Sequence, residues 1–172
     1  DGMRQALRDI KPSHFLDIVA VNALYRPGPM DNIPTYKRRK HREEKTVYVH
    51  PMLEPILRET YGVIVYQEQI MQISSKMAGF SFGESDILRR AVSKKNRQVL
   101  DEQRQHFVES AQQNQFTKQE ANEVYDLIVR FADYGFPKSH AVAYSLISYQ
   151  MAYLKVHYPA YFYSSLLTAA MG

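Results

Sequence analysis

Lys138, Ser139 and His140 follow Pro137 at the opening of a predicted helix, and together they could hold an anion. A helix N-terminus carries roughly half a positive charge and unpaired N–H donors. A phosphate placed there would meet the Lys138 ammonium, the Ser139 hydroxyl and the backbone at once. The same residues also fit an ordinary helix–loop–helix corner with a serine cap, so the local pattern leaves both readings open. Arg89 and Arg90, flanked by apolar residues, form a second cationic pair, and Lys94 four residues beyond Arg90 falls on the same helical face. Arg26 is presented at the turn Tyr25-Arg26-Pro27-Gly28-Pro29, either as a ligand or as a solvated cap on the preceding carbonyls. Lys37, Arg38, Arg39, Lys40 and Arg42 make a basic run backed by Glu43 and Glu44. Such a run serves equally as a solvated face or as a hold on a nucleic-acid backbone. Lys94 and Lys95 close the candidate set.

The elements that must position these groups are helical. Met3, Leu7 and Ile10 share a face in a short helix ended by Pro12, and Ser13 is placed to cap the next helix. That helix is apolar on most sides from Phe15 to Leu24, which makes it central. Pro51 can start a short helix through Leu57. Tyr61 to Tyr66 is the β-like run, with Thr46 to Val49 as its one candidate partner, so a single two-stranded ribbon is the upper limit. Gln67 to Ala78 returns to helix and stops at Gly79.

Ser81 and Glu84 form a capping box, and the helix they open carries Ile87, Leu88, Ala91 and Val92 inward. Asn96 caps a long polar helix to about Asn114. Thr117 and Glu120 make a second capping box, followed by an amphipathic helix that delivers the chain to Gly135. From Phe136 to Gly172 there is no Asp or Glu, and the apolar run from 139 to 171 is interrupted by Lys155, His157 and Pro159. Those interruptions point to buried helices rather than membrane spans. The fold expected is all-α, an irregular multi-helix domain, taken as one fragment with possible subdomains 1–66 and 67–172.

Composition sets the outer bounds. The chain has 172 residues, 45% of them hydrophobic, enough to bury a core. It has no cysteine, which excludes disulfides and thiolate metal sites and fits a reducing, cytoplasmic compartment. The net charge of +4 favours phosphate-bearing partners. No apolar signal core opens the sequence, and the start at Asp1-Gly2 suggests a piece of a longer polypeptide. There is no G-x-x-x-x-G-K loop, no H-E-x-x-H helix and no G-x-S-x-G elbow. The histidines lack metal-ligand spacing, and neither Asp126 with Asp133 nor Glu84 with Asp86 makes a two-metal acid pair. The residues alone describe a phosphate-binding helical module without catalytic or metal-binding residues of its own.

Four motifs in this order carry a resemblance: A-L-Y-R-P-G-P-M at 23–30, Y-G-V-I-V-Y-Q-E-Q-I-M at 61–71, F-G-E-S-D-I-L-R-R-A-V-S-K-K at 82–95, and Y-G-F-P-K-S-H-A-V-A-Y-S-L-I-S-Y-Q at 134–150. With K-V-H-Y-P-A-Y-F at 155–162 they cover nearly the whole chain, and they resemble the fingers of C-family bacterial replicative DNA polymerases. The resemblance implies a DNA-directed DNA polymerase whose palm, outside this sequence, holds two Mg²⁺ ions, so this fragment would be inactive alone. It implies that Arg89, Arg90, Lys138, Ser139 and His140 line the triphosphate of an incoming dNTP. Arg26, Lys37, Arg38, Arg39, Lys40, Arg42, Lys94 and Lys95 would contact template-primer DNA. Other polymerase domains and replisome proteins are the further partners implied. Pro137 stands where many members of that family have Asn, which removes whatever contact that side chain makes. The alternative is a non-catalytic helical DNA-binding or protein-interaction module.

Overall fold

The computed structural model describes residues 2–94, 97–132 and 135–171. They fold into helices α1 (Gly2–Ile10), α2 (Phe15–Leu24), α3 (Ile33–Lys40), α4 (Glu54–Leu57), α5 (Gln67–Ala78), α6 (Phe82–Ser93), α7 (Arg97–Gln113), α8 (Lys118–Ala132), α9 (Lys138–His157) and α10 (Pro159–Met171). Short 3₁₀ turns at Pro29–Asn32, Pro51–Leu53 and Arg58–Thr60 link the early elements. No strand forms among the described residues, and the chain is all-α.

Local chemistry sets most boundaries. At α6 the Glu84 N–H donates to Ser81 Oγ (3.3 Å) while Ser81 N–H donates to Glu84 Oε2 (2.8 Å). The Thr117/Glu120 box at α8 closes in the same way, at 3.2 and 2.8 Å. Gly79 ends α5 with φ of 68°, a left-handed conformation that glycine adopts without a Cβ penalty.

The α2 start differs from expectation. Its cap position is His14, and Asp17 in the first turn accepts from the Ser13 and His14 N–H groups (2.9 and 3.1 Å). A carboxylate in the first turn thus supplies the reciprocal half of a capping box, tying the helix to the residues before it with its charge aligned to the helix dipole. Asn96, the expected cap of α7, lies outside the described residues.

Two buried clusters hold the body together, and the run Tyr61–Tyr66 is the seam between them. Val63 and Val65 join the cluster of α1, α2 and α3 with Ile10, Val19, Leu24 and Tyr36. Ile64 faces the other way, into the cluster of α4 to α8 around Leu57, Ile73, Met77, Phe107, Tyr125 and Ile128. Alternation with a period of two therefore survives, but each side chain finds a helix-built core instead of a sheet face.

Backbone groups in the seam are satisfied from outside the run. Gln69 Oε1 accepts from Val65 N–H and Tyr66 N–H (2.8 and 3.0 Å), and Gln69 Nε2 donates to Thr60 Oγ1 (2.9 Å). The ribbon with Thr46 to Val49 does not form. A parallel bridge joins Tyr66 to Phe136 instead, by Gln67 N–H to Phe136 O and Phe136 N–H to Val65 O, both 3.1 Å.

Two burial expectations are overturned. Ile87 is 53% exposed although Leu88, Ala91 and Val92 are buried. A residue one position before Leu88 is about 100° away on the helix, off the Leu88/Val92 face that joins the cluster with α5, α7 and α8. The larger correction concerns the C-terminal helices, which were expected to be buried. Among described residues α9 buries Ala141 and Ser145, and α10 buries none. The first turns of α9 pack against α2, after which α9 and α10 pack mainly on each other and leave Tyr, Leu and Met side chains in solvent. Apolar composition expresses a need for cover without naming where the cover comes from. Among the described residues no helix is long and apolar enough to cross a membrane.

Candidate functional site

The N-termini of α5 and α9 meet at one corner. The Tyr66–Phe136 bridge lays the entry to α9 beside the entry to α5, so Gln67, Glu68 and Lys138 become neighbours across 70 residues of sequence. Pro137, with φ of −61°, occupies the cap position of α9 without a side-chain cap bond, and Pro137 O accepts from Ala141 N–H at 3.1 Å. The helix thus begins at Lys138, one residue earlier than the sequence suggests, because proline is preset for helix entry. Ser139 and His140 lie in its first turn and are exposed.

The anion-binding capacity of this corner is already engaged. Both Glu68 carboxylate oxygens accept from Lys138 N–H, each at 3.0 Å. The Lys138 ammonium donates to both Glu59 oxygens, at 2.6 and 2.8 Å, and sits 5.3 Å from the centre of the Tyr66 ring. A carboxylate therefore occupies the place at the helix N-terminus where a phosphate would go.

Arg89 reaches the same corner from α6. Its guanidinium donates to Gln67 Oε1 at 3.0 Å and pairs with Asp86 at 2.6 Å. Arg90 pairs with the second Asp86 oxygen at 2.8 Å and remains 66% exposed. One carboxylate, three and four residues before the two arginines, thus splays them on adjacent faces. The Arg89 hydrogen bond, followed by the charge of both guanidiniums, holds the Asp86 carboxyl below its ordinary range. A cleft of about 310 Å³ between α5 and α6 opens beside Glu68, lined also by Met71, Gln72, Ser75, Phe82 and Ser85.

A second group of residues extends the corner along α9. The Arg26 guanidinium lies 3.7 Å above the Phe136 ring, the Phe136 and His140 rings are 5.2 Å apart, and His140 and Tyr144 are 4.5 Å apart. Arg26 is thereby a neighbour of the α9 entry, an arrangement its own turn does not announce. Cation–π contact with an aromatic face fixes a guanidinium without neutralising it.

The basic run is less uniform than its sequence. Arg38 and Arg39 each donate to Glu44 at 2.9 Å, and Arg39 also donates to Tyr61 O at 3.1 Å. Lys40 is turned inward: its ammonium is 2.7 Å from Ser13 Oγ and 3.0 Å from Asp17, with both ion-pair side chains nearly inaccessible. Arg42 is exposed and Lys37 partly so, with no carboxylate partner among the described residues. Lys94 is exposed at the end of α6, and Lys95 lies outside the described residues.

Sequence reasoning picked out Arg89 and Lys138 separately, and the structure places both at the α5 entry. It did not pick out Gln67, Glu68 or Glu59, which connect them. The one available signal was Glu68 in the first turn of a helix, which reads as simple dipole compensation. No group of His, Asp or Glu side chains arranged to hold a metal ion occurs among the described residues.

The family model for the bacterial DNA polymerase III alpha subunit finger domain matches residues 1–115. The chain is 60% identical over all its 172 residues to DNA polymerase III subunit alpha of Staphylococcus aureus, and 59% identical to that of Staphylococcus epidermidis. In both cases it spans 16% of the relative's length.

Proposed function

Because the chain belongs to the bacterial DNA polymerase III alpha subunit finger-domain family, we propose that it is the fingers region of a replicative DNA-directed DNA polymerase. In this reading the α5–α9 corner receives the triphosphate of the incoming dNTP. The observation that carries the proposal is the convergence of Arg89 and Lys138 on the α5 entry through Gln67 and Glu68. The Lys138 ammonium meets the phosphates from one side, with the Ser139 hydroxyl and His140 beside it. Arg89 and the more exposed Arg90 meet them from α6. Phosphoryl transfer depends on positioning and on stabilising charge that spreads over phosphate oxygens, which cations and helix N-termini supply.

The chemistry is divided between domains. The palm carboxylates and the Mg²⁺ ions they hold are assigned to the rest of the polymerase, so this fragment alone is expected to be inactive. Template-primer backbone is assigned to the basic groups Arg26, Lys37, Arg38, Arg39, Lys40, Arg42, Lys94 and Lys95. Arg26, Lys37, Arg42 and Lys94 are the best placed of these, since Lys40 is spent on Asp17 and Arg38 and Arg39 on Glu44. Other polymerase domains and replisome proteins are the remaining proposed partners, in the cytoplasm.

The test is Lys138→Ala and Arg90→Ala in the full-length polymerase. Loss of a charge-assisted contact to phosphate should lower kcat/KM for dNTP by roughly 10- to 100-fold. Wild-type KM and kcat in both variants would remove the site assignment. The alternative, a helical DNA-binding or protein-interaction module without nucleotide chemistry, draws support from the open apolar surface of α9 and α10. Titration of the chain with dNTP and with duplex DNA separates the two. Backbone-only binding ignores free nucleotide and weakens steeply with salt.

A further inference from the structure

The three cations of the proposed jaw are matched by three carboxylates of the same chain. Lys138 faces Glu59 and Glu68, and Arg89 and Arg90 share Asp86. Among the described residues each cation of the jaw thus already faces a carboxylate, which weakens its pull on an incoming anion, while Arg26 over the Phe136 ring nearby is fixed without being neutralised. For a triphosphate to enter, at least one of these pairs has to open.

The three carboxylates are not equally able to leave. Asp86 sits on the same helix as its arginines, at i−3 and i−4, and moves with them. Glu68 accepts from the backbone of Lys138 and ties the two helix entries together, so its loss would undo the corner itself. Glu59 differs. It lies in the turn Arg58–Thr60, and both hydrogen bonds of its carboxylate among the described residues go to the Lys138 ammonium. The two side chains are 32% and 33% exposed, and ion pairs as open to water as this are weak.

We propose that Glu59 is a positioning residue of the nucleotide site, a built-in counterion that holds Lys138 until a more highly charged group displaces it. This rests on the assignment of Lys138 to the triphosphate. A carboxylate and a DNA phosphodiester each carry one negative charge, whereas a terminal phosphate near neutral pH carries about 1.5 to 2. In competition for one ammonium the diester gains little over Glu59, and the terminal phosphate displaces it. Glu59 therefore keeps Lys138 off the DNA backbone and reserves it for the nucleotide.

Steady-state kinetics of the full-length polymerase carrying Glu59→Gln, Lys138→Ala and the pair of substitutions test this. The amide keeps the size of the side chain and removes its charge. KM for dNTP should fall by about 3-fold in Glu59→Gln with kcat unchanged, the range expected from releasing one exposed ion pair. In the Lys138→Ala background the same substitution should change nothing. A primer-free oligothymidylate used as competitor should gain less in inhibition than dNTP gains in affinity, because the weaker contact to Lys138 profits less from loss of its counterion.

A Glu59 with a merely structural role would raise KM or lower the melting temperature when neutralised, and that result overturns the proposal. Glu59→Ala repeats the measurement if the amide variant fails to fold. If Lys138→Ala raises KM while Glu59→Gln is silent, this proposal falls and the nucleotide site stands. If Lys138→Ala is itself silent, the assignment of Lys138 to the triphosphate falls and takes this proposal with it.

Discussion

Helices α8 and α9 are both rich in apolar residues and meet opposite fates. In α8, Ala121, Val124, Tyr125 and Ile128 are fully buried, all on the face that packs into the cluster around Phe107. In α9 the apolar residues run round the whole cylinder from Tyr144 to Val156, and only Ala141 and Ser145, near its start, are buried. A one-sided stripe is satisfied by one neighbour, whereas an all-round apolar surface needs several. The body's main contact with α9 is α2, which runs from Asn22 beside Ala141 and Ser145 to Phe15 beside Tyr149. The relatives that match this chain carry roughly five times as much additional polypeptide, since it spans 16% of their length. The lesson is that spacing, more than content, tells whether a helix can be covered from within its own chain.

That contrast predicts a steep gradient of mutational cost. Phe107 is fully buried, with its ring 6.0 Å from Phe80 and 5.4 Å from Tyr125. Phe107→Ala should cost about 3–5 kcal/mol, since the cavity adds to the lost transfer energy. Urea unfolding of the 172-residue chain reads the loss directly, and a cost below 1 kcal/mol would mean that the α4–α8 cluster is not the core described.

The next effect comes from a buried charge. Asp17 accepts from Ser13 N–H, His14 N–H and Tyr36 OH and pairs with Lys40. Burial pushes its pKa up, but the Ser13 backbone bond, the Lys40 bond and the His14 bond together outweigh it and hold the carboxyl below its ordinary value. Burial also pushes the Tyr36 hydroxyl up, reinforced by the Asp17 charge, so it stays a donor. Asp17→Asn leaves Lys40 without its counter-charge and should cost about 3 kcal/mol. The sign of the pH effect follows from the depressed folded pKa. The contribution of Asp17 is complete above the unfolded value near 3.9 and is lost as pH falls through the lower folded value. Stability curves between pH 2 and 6 should therefore be flatter for Asp17→Asn than for the parent chain.

How much of this could be read in advance depended on range. The boxes at Ser81/Glu84 and Thr117/Glu120 and the stop at Gly79 were legible because their chemistry closes within four residues. The Asp86 pairs with Arg89 and Arg90 were equally within reach of helical spacing, although the two arginines were read alone. Lys40 read as part of a surface run because nothing local marks Asp17, 23 positions earlier, as its partner. Glu59 and Lys138 are 79 residues apart, and only the bridge between Tyr66 and Phe136 makes them neighbours. The cations of the corner were therefore visible in the sequence; of the carboxylates that balance them, Asp86 was within helical reach and Glu59 was not.

The smallest effect is the one that most sharpens the contrast between body and hairpin. Leu167 on α10 is 64% exposed, as large and apolar as the core leucines but with most of its surface already in water. Leu167→Ala therefore removes little buried area and should change stability by no more than about 0.5 kcal/mol. A cost of several kcal/mol would break the contrast, because it would require Leu167 to be covered in solution. The protein-concentration dependence of that cost identifies the cover. A cost that grows with concentration places a second copy of the chain on α10, whereas a constant one places the hairpin back on its own body.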